Sequence, residues 1–410
     1  MEVLGMIMAG GEGSRLYPLT KERAKPAVHF GGKFRLIDFV LSNFVNSQIY
    51  SIYVLTQFKS QSLADHLQDG WRLSSVLRNQ FISIVPAQQR TGRDWYLGTA
   101  DAIYQNINLI ENHKPDLVAV FGADHVYRMD LRQMIDFHRK KKADATVAAL
   151  PVKLKEASSF GVLGVDGDSR ILTFDEKPAN PKSIPNHPDE AYASMGNYIF
   201  NADFLLEKLE SDARSDTHHD FGKDIIPSSC ETSRIYAYDF RENLVPGASE
   251  EERGYWRDVG TIQAFWEANM DLRNIKPQFN LYNERWPIRT SSYSSPPAKF
   301  VFNEDGRRGQ AINAIVSEGS IISGGKVQDS VLDRNVIVLS GAAVINSILM
   351  ERVTIGRDCR INMAIIDKNV HVPDETVIGY NAEEDKKRFF IDEESGIIVI
   401  PKGYKFPGQS

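Results

Sequence analysis

The sequence predicts two domains of unlike build. Residues 1–274 read as an α/β domain, Rossmann-like with a mixed, mostly parallel sheet, and residues 311–410 as a parallel β-helix. Three observations carry that prediction. Up to about Asn274, short β-rich runs alternate with helix-period stretches, the rhythm of a sheet covered by helices. After about residue 311, aliphatic residues recur in steps of six, six and five, so the set repeats every 17 residues. Between the two, Ile275 to Arg308 is rich in Pro, Ser, Asn and Arg, which makes 275–310 a linker.

Taken in order, the apolar run Val3 to Met8 is a first strand. It leads into Ala9 to Val28, AGGEGSRLYPLTKERAKPAV, where Gly10, Gly11 and Gly13 let the backbone approach a ligand closely. SIYVLTQ (51–57), FISIVPA (81–87), DLVAVFGAD (116–124) and ATVAALPV (145–152) are further strands. DAIYQNINLIEN (101–112) and LRQMIDFHRKKK (131–142) carry apolar residues at helical spacing. In such sheets ligands collect at the carboxyl ends of the strands. In the second half the anchors are Ile315, Ile321 and Val327, then Leu332, Val338 and Val344. They continue through Leu349, Ile355 and Ile361 to Ile366, Val372 and Ile378. Two more series, Val331, Ile348, Ile365 and Val336, Val353, Val370, keep the same period. A step of about six fits a hexapeptide β-helix with inward-pointing anchors. At about 4.8 Å per coil, about four coils make a stub roughly 19 Å tall.

Composition narrows the setting. Hydrophobic residues make up 42% of the 410 and charged residues 25%, as in ordinary soluble globular proteins. The net charge of -6 argues against a nucleic-acid partner. No apolar run approaches the ~18 residues that span a bilayer, so no membrane partner is expected. The start, MEVLGMIMAGG, lacks a basic signal region. Cys230 and Cys359 stand far apart without metal-site spacing. The expected location is cytoplasmic, with both thiols reduced.

Arg15, Arg23 and Lys25 surround the glycine turn with cationic donors, a combination suited to a nucleoside triphosphate. The spacing is neither a Walker A motif nor a dinucleotide fingerprint, since Leu16 stands where a third glycine belongs. Asp124 ends a strand in FGADHVY, and Asp258 follows Tyr255-Trp256-Arg257. Either one alone reads as a helix cap or salt-bridge partner. Beside a phosphate-binding turn, the two read as hard oxygen ligands sharing one Mg²⁺. In Trp95-Tyr96-x-Gly98-Thr99-Ala100-Asp101-Ala102, Gly98 permits close approach. The N–H groups of a helix starting at Thr99 can face a base or a phosphate. Gln88 and Gln89 offer amides suited to an adenine edge. Trp95 and Tyr96 also read singly as core aromatics; Tyr96 is the better ligand contact and Trp95 the better packing residue. Glu176-Lys177 ends the run ILTFDEK, either as an acid for sugar hydroxyls beside a lysine for phosphate, or as a solvated strand end.

The motif GGxGxRLxPLT is shared by sugar-phosphate nucleotidyltransferases. Its continuation RAKPAVHFGGKFRLIDF (Arg23 to Phe39) resembles the glucose-1-phosphate adenylyltransferases. EKPANP (176–181), ASMGNYIF (193–200) and DFGKD (220–224) are similar too, and the resemblance covers nearly all of residues 2–395. It implies a left-handed β-helix and synthesis of ADP-glucose for glycogen-like polymers. ATP would be bound by Gly10, Gly11, Gly13, Arg15, Lys25, Gln88, Gly98 and Thr99. Glucose 1-phosphate would be bound by Tyr96, Gly161, Glu176, Lys177 and Ser194. Arg15, Lys25, Asp124 and Asp258 would be catalytic, with Mg²⁺ on the two aspartates. Family members are commonly homotetramers, regulated between the domains by sugar phosphates, AMP or phosphate. Arg23, His29, Arg35 and Lys368 are the matching effector candidates, with Gln57 and Trp95 as relays. The four charged or titratable residues read equally well as surface charge without a ligand. Glu22 stands where relatives activated by fructose 1,6-bisphosphate carry lysine, and Lys402 and Lys405 where they carry arginine, which puts that activator in question. Other readings are a sugar-1-phosphate nucleotidyltransferase using UTP or dTTP, and a non-catalytic regulatory subunit. The presence of Arg15, Lys25, Asp124, Lys177 and Asp258 together disfavours the latter.

Overall fold

The computed structural model describes residues 1–73, 79–90 and 94–408. Val3–Ala9 is the central strand of a nine-stranded sheet, between the parallel strands Ser51–Thr56 and Leu117–Gly122. Phe81–Pro86 extends the parallel part on the far side of Ser51–Thr56. Glu190–Asn201 runs antiparallel to Leu117–Gly122 and makes the sheet mixed. That long strand also pairs with Ala145–Lys153 and with Gly161–Val165. Its register against Ala145–Lys153 breaks between Ser194 and Tyr198, where Gly196 takes φ 69°. A bulge of this kind bends a strand and re-aims its side chains.

Residues 101–112 form two helices rather than one, Thr99–Tyr104 and Ile107–His113. Asn106 explains the break. Its side-chain amide donates to the Ala102 carbonyl and to the Tyr96 hydroxyl, an alternative to continued helical bonding that asparagine readily takes. Among the described residues no helix is long and apolar enough to cross a membrane.

The second domain is a three-sided stack of parallel strands. One side is built from Lys299–Val301, Ile321–Ser323, Ile337–Val338, Thr354–Ile355 and His371–Val372. The β-helix therefore begins at Lys299, inside the segment read as linker, and each side holds five parallel strands rather than four. The first coil corrects two of its three predicted anchors by one position, while Val327 lies in the interior opposite Val344 as predicted. Val316 pairs with Leu332 and Ile322 with Val338, so Val316 and Ile322 continue the inner rows. Ile315 instead packs in a cluster with Val28, Phe30 and Phe265 of the first domain. Ile348 and Ile365, from one of the two further series, belong to that same cluster. Their apolar period reflects burial against the other domain rather than inside the helix, whereas Val336, Val353 and Val370 lie in the interior.

Candidate active site

The central strand delivers the glycine turn at its carboxyl end, where Gly13 takes φ 66°, a conformation that costs glycine little. A Cβ there would lie 3.1 Å from the Lys25 Cβ, so the turn and the lysine stem are in close contact. The neighbouring strand Leu117–Gly122 delivers Asp124. His125–Tyr127 then pairs antiparallel with Trp256–Asp258, and Asp258 stands opposite His125 in that register. This short ladder unites two acids far apart in sequence.

A cavity of about 420 Å³ opens at this point. Gly10, Gly11, Gly13, Lys25, Gly98 and Thr99 line it, together with Tyr96, Gln57 and Asp124. Gln57 thus belongs to the active-site wall. Gln88 is exposed, accepts from Arg90 Nε at 3.3 Å, and is not part of the wall. Trp95 is 54% exposed and does not serve as core packing.

The Lys25 ammonium is 2.7 Å from Asp258 Oδ1 and 2.9 Å from Asp124 Oδ2. Sequence reasoning aimed it at phosphates; in the structure it bridges the two acids. Arg15 lies at the rim, 3.5 Å from Asp258 Oδ2 and largely exposed. Burial pushes the Asp124 carboxyl up, but Lys25 and then His125 together outweigh it and hold the group at about 2. For Lys25, burial lowers the pKa and the two carboxylates more than compensate, so it is raised. Donor atoms of Asp124, His125 and Asp258 all lie within 4.8 Å of one another. His125 is a neighbour that sequence reasoning missed, although it follows Asp124 directly. Burial lowers its pKa against the pull of both acids. Two carboxylates and an imidazole around one point, already holding a cation, fit a small divalent ion.

The glycine at 98 has a different use from the one expected. Its Cβ would fall 2.3 Å from the carbonyl oxygens of His218 and His219, so the close approach is to this chain's own backbone. The His219 carbonyl also accepts from Ala100 N and Asp101 N. Those helix N–H groups are therefore spoken for rather than available to a ligand. Thr99 Oγ1 donates to Asp220 Oδ2 at 2.9 Å and accepts from Phe221 N.

The sugar-phosphate candidates form a second group. Gly161 pairs with Glu176 across a hairpin, and a Cβ on Gly161 would meet Glu176 Oε2 at 3.0 Å. Lys177, at φ 49°, donates its N–H to the Phe160 carbonyl. Ala193 pairs with Val162, which brings Ser194 level with Gly161. Phe160 and His125 both contact Trp256, with ring centroids 6.2 and 4.7 Å apart. The second group thus adjoins the acids.

Arg23, His29 and Arg35 are buried rather than displayed, at the junction of the two domains. Arg23 Nη2 donates to Asp367 Oδ2 at 2.7 Å, while its Nε and Nη1 have no partner among the described residues. His29 Nδ1 lies 2.9 Å from Asp333 Oδ2. Burial disfavours charge on both, moving His29 down and Asp333 up. Burial, then Arg35 and Arg23, lower Lys368 to about 8. Arg334 stacks 3.2 Å over the Tyr293 ring and leaves Nε and Nη1 without partners among the described residues. Asp333, Arg334, Glu351 and Asp367 were not found by sequence reasoning, because each sits between the aliphatic anchors where no motif marks it. Lys402 pairs with Glu22 at 3.1 Å, so two of the departures noted in the sequence neutralise each other.

Comparison with known proteins yields two family matches. Residues 4–275 match the nucleotidyl transferase family, and residues 296–400 match the GlmU-like C-terminal hexapeptide family. The fold is accordingly an α/β nucleotidyltransferase domain followed by a left-handed parallel β-helix. Similar curated proteins include the glucose-1-phosphate adenylyltransferase of Thermus thermophilus, 55% identical over 99% of both chains. That of Anaeromyxobacter sp. is 54% identical over 98% of this chain and 99% of its own. That of Photobacterium profundum is 52% identical over 98% of both.

Proposed function

The chain belongs to the glucose-1-phosphate adenylyltransferase family of nucleotidyltransferases, and from that premise we propose that it converts ATP and α-D-glucose 1-phosphate to ADP-α-D-glucose and diphosphate. The observation that carries this reading is the meeting of Asp124 and Asp258 beside the glycine turn. A sugar phosphate is largely ionised near neutral pH, since its second pKa is about 6. Its oxygen attacks the α-phosphorus of ATP in line, the bond to the β-phosphate oxygen breaks, and diphosphate leaves. No protein base or covalent nucleophile is needed. The obstacle is repulsion between anions, so the protein's work is alignment and neutralisation. When bound, Mg²⁺ supplies charge to the reacting phosphates; Asp124 and Asp258 would hold it, with His125 adjacent. Arg15 and Lys25 meet the triphosphate and Lys177 the sugar phosphate, while Tyr96, Gly161, Glu176 and Ser194 shape the sugar site.

Regulation by an anion at the domain junction is part of the proposal. Buried guanidinium N–H groups without partners on Arg23 and Arg334 support it, because such groups are costly unless a ligand or water completes them. The Glu22–Lys402 pair argues for an effector other than fructose 1,6-bisphosphate. Supply of ADP-glucose for glycogen, a homotetrameric state and a cytoplasmic location complete the reading.

The test is diphosphate release from glucose 1-phosphate with ATP, UTP or dTTP, with and without Mg²⁺, and with a panel of sugar phosphates, AMP and phosphate. ATP should be used well ahead of UTP and dTTP, and only with the divalent ion. Preference for UTP or dTTP, or no release with any nucleotide, would reject the proposal.

A further inference from the structure

Lys25 lies in a place that the metal reading leaves to an ion. Its ammonium contacts both acids, at 2.7 and 2.9 Å, on a side chain only 7% exposed. Arg15, 3.5 Å from Asp258 and 70% exposed, is no substitute. A divalent ion and an ammonium repel each other and compete for the same carboxylate oxygens, so the two cannot share this spot. The lysine has somewhere to go. It lines the same cavity as Gly10 and Gly11, and its flexible four-carbon stem can swing toward a triphosphate on that turn.

The geometry points to Lys25 as the resident counter-ion of the metal site: its ammonium holds Asp124 and Asp258 together in the free enzyme and is exchanged for a divalent ion as the triphosphate binds. The inference rests on the reading of Asp124 and Asp258 as metal ligands. Two consequences follow. A divalent ion binds the free enzyme weakly, because it must evict a well-bonded ammonium. Nucleotide and ion bind cooperatively, because the triphosphate accepts the evicted charge, and by linkage each tightens the other by the same factor. His125 assists from the side. Its Nδ1 is buried without a partner among the described residues and its Nε2 is 3.6 Å from Asp124 Oδ1, so a nitrogen-tolerant ion such as Mn²⁺ is a suitable probe.

Binding of Mn²⁺ alone, and with a non-reactive α,β-methylene analogue of ATP, is to be measured by electron paramagnetic resonance. In the wild type the analogue should tighten Mn²⁺ binding about tenfold or more. Lys25→Met should bind Mn²⁺ about tenfold tighter than wild type without the analogue, and show a correspondingly smaller coupling. Lys25→Arg, which keeps the charge, should remain weak. A Lys25→Met protein that folds only when Mn²⁺ is supplied also supports exchange. Lys25→Met binding Mn²⁺ no tighter than wild type overturns it, as does a wild type without coupling. Asp124→Asn and Asp258→Asn separate this from the underlying reading. Binding that survives both removes the metal site itself. Binding lost in both, with Lys25→Met unchanged from wild type, removes only the exchange.

Discussion

Two charged clusters hang from one short stretch of chain, and they are built in opposite ways. Lys25 points into the active-site cluster, where its ammonium is matched by two carboxylates. Arg23 and His29, on either side of it, point into the domain junction, where guanidinium nitrogens lack partners. In the first cluster the two carboxylates are already paired and the site is open, so an entering cation must displace the ammonium. The second is incomplete and buried, so a ligand would finish it. Charge alone does not distinguish the two sites; the state of the hydrogen bonds does.

The largest effect that would sharpen this contrast is expected at the open cluster. Asp124→Asn should lower kcat about 10³-fold while leaving circular dichroism and the melting temperature near wild type. At the buried cluster the order reverses. Asp367→Ala strips Arg23 of its carboxylate and should cost about 3–5 kcal/mol in denaturant unfolding, with a smaller effect on kcat. Equal stability losses for the two variants would erase the distinction. Lys177→Ala probes the sugar group and should raise KM for glucose 1-phosphate about tenfold or more, with kcat changed less; an unchanged KM would contradict its placement. The smallest effect concerns pH. Lys368 is lowered in the folded protein to about 8, so the unfolded chain binds more protons above that value and stability rises with pH from about 8 toward the unfolded pKa. Lys368→Met should lack that rise when unfolding is followed across the range. An identical pH slope in both proteins would show that Lys368 does not feel its neighbours.

Much of this organisation was legible in the sequence because it is periodic or local. Strand–helix alternation and the 17-residue repeat gave the two halves, and strand-end positions gave Asp124 and the glycine turn. What was hidden depends on tertiary choice. The linker ends at Lys299 because strand pairing with Ile321 recruits residues whose composition looks irregular. Two of the first-coil anchors slipped by one because that coil is a residue shorter, Ile315 standing opposite Val331 rather than Leu332. Ile348 and Ile365 keep the repeat, yet face the other domain. Gly98 and the N–H groups of Ala100 and Asp101 carried a ligand-binding pattern, but the backbone at His218–His219 uses them. Arg23 looked like surface charge because a basic residue is rarely buried, and its partner Asp367 comes from a domain hundreds of residues away.

The most direct measurement is a double-mutant cycle on diphosphate release from ATP and glucose 1-phosphate, comparing Asp124→Asn, Asp258→Asn and the double variant at saturating Mg²⁺. If both acids serve one ion, each single loss should be severe and the double loss little worse than either. Near-normal turnover in either single variant, or losses that multiply in full, would contradict a shared ion at this site.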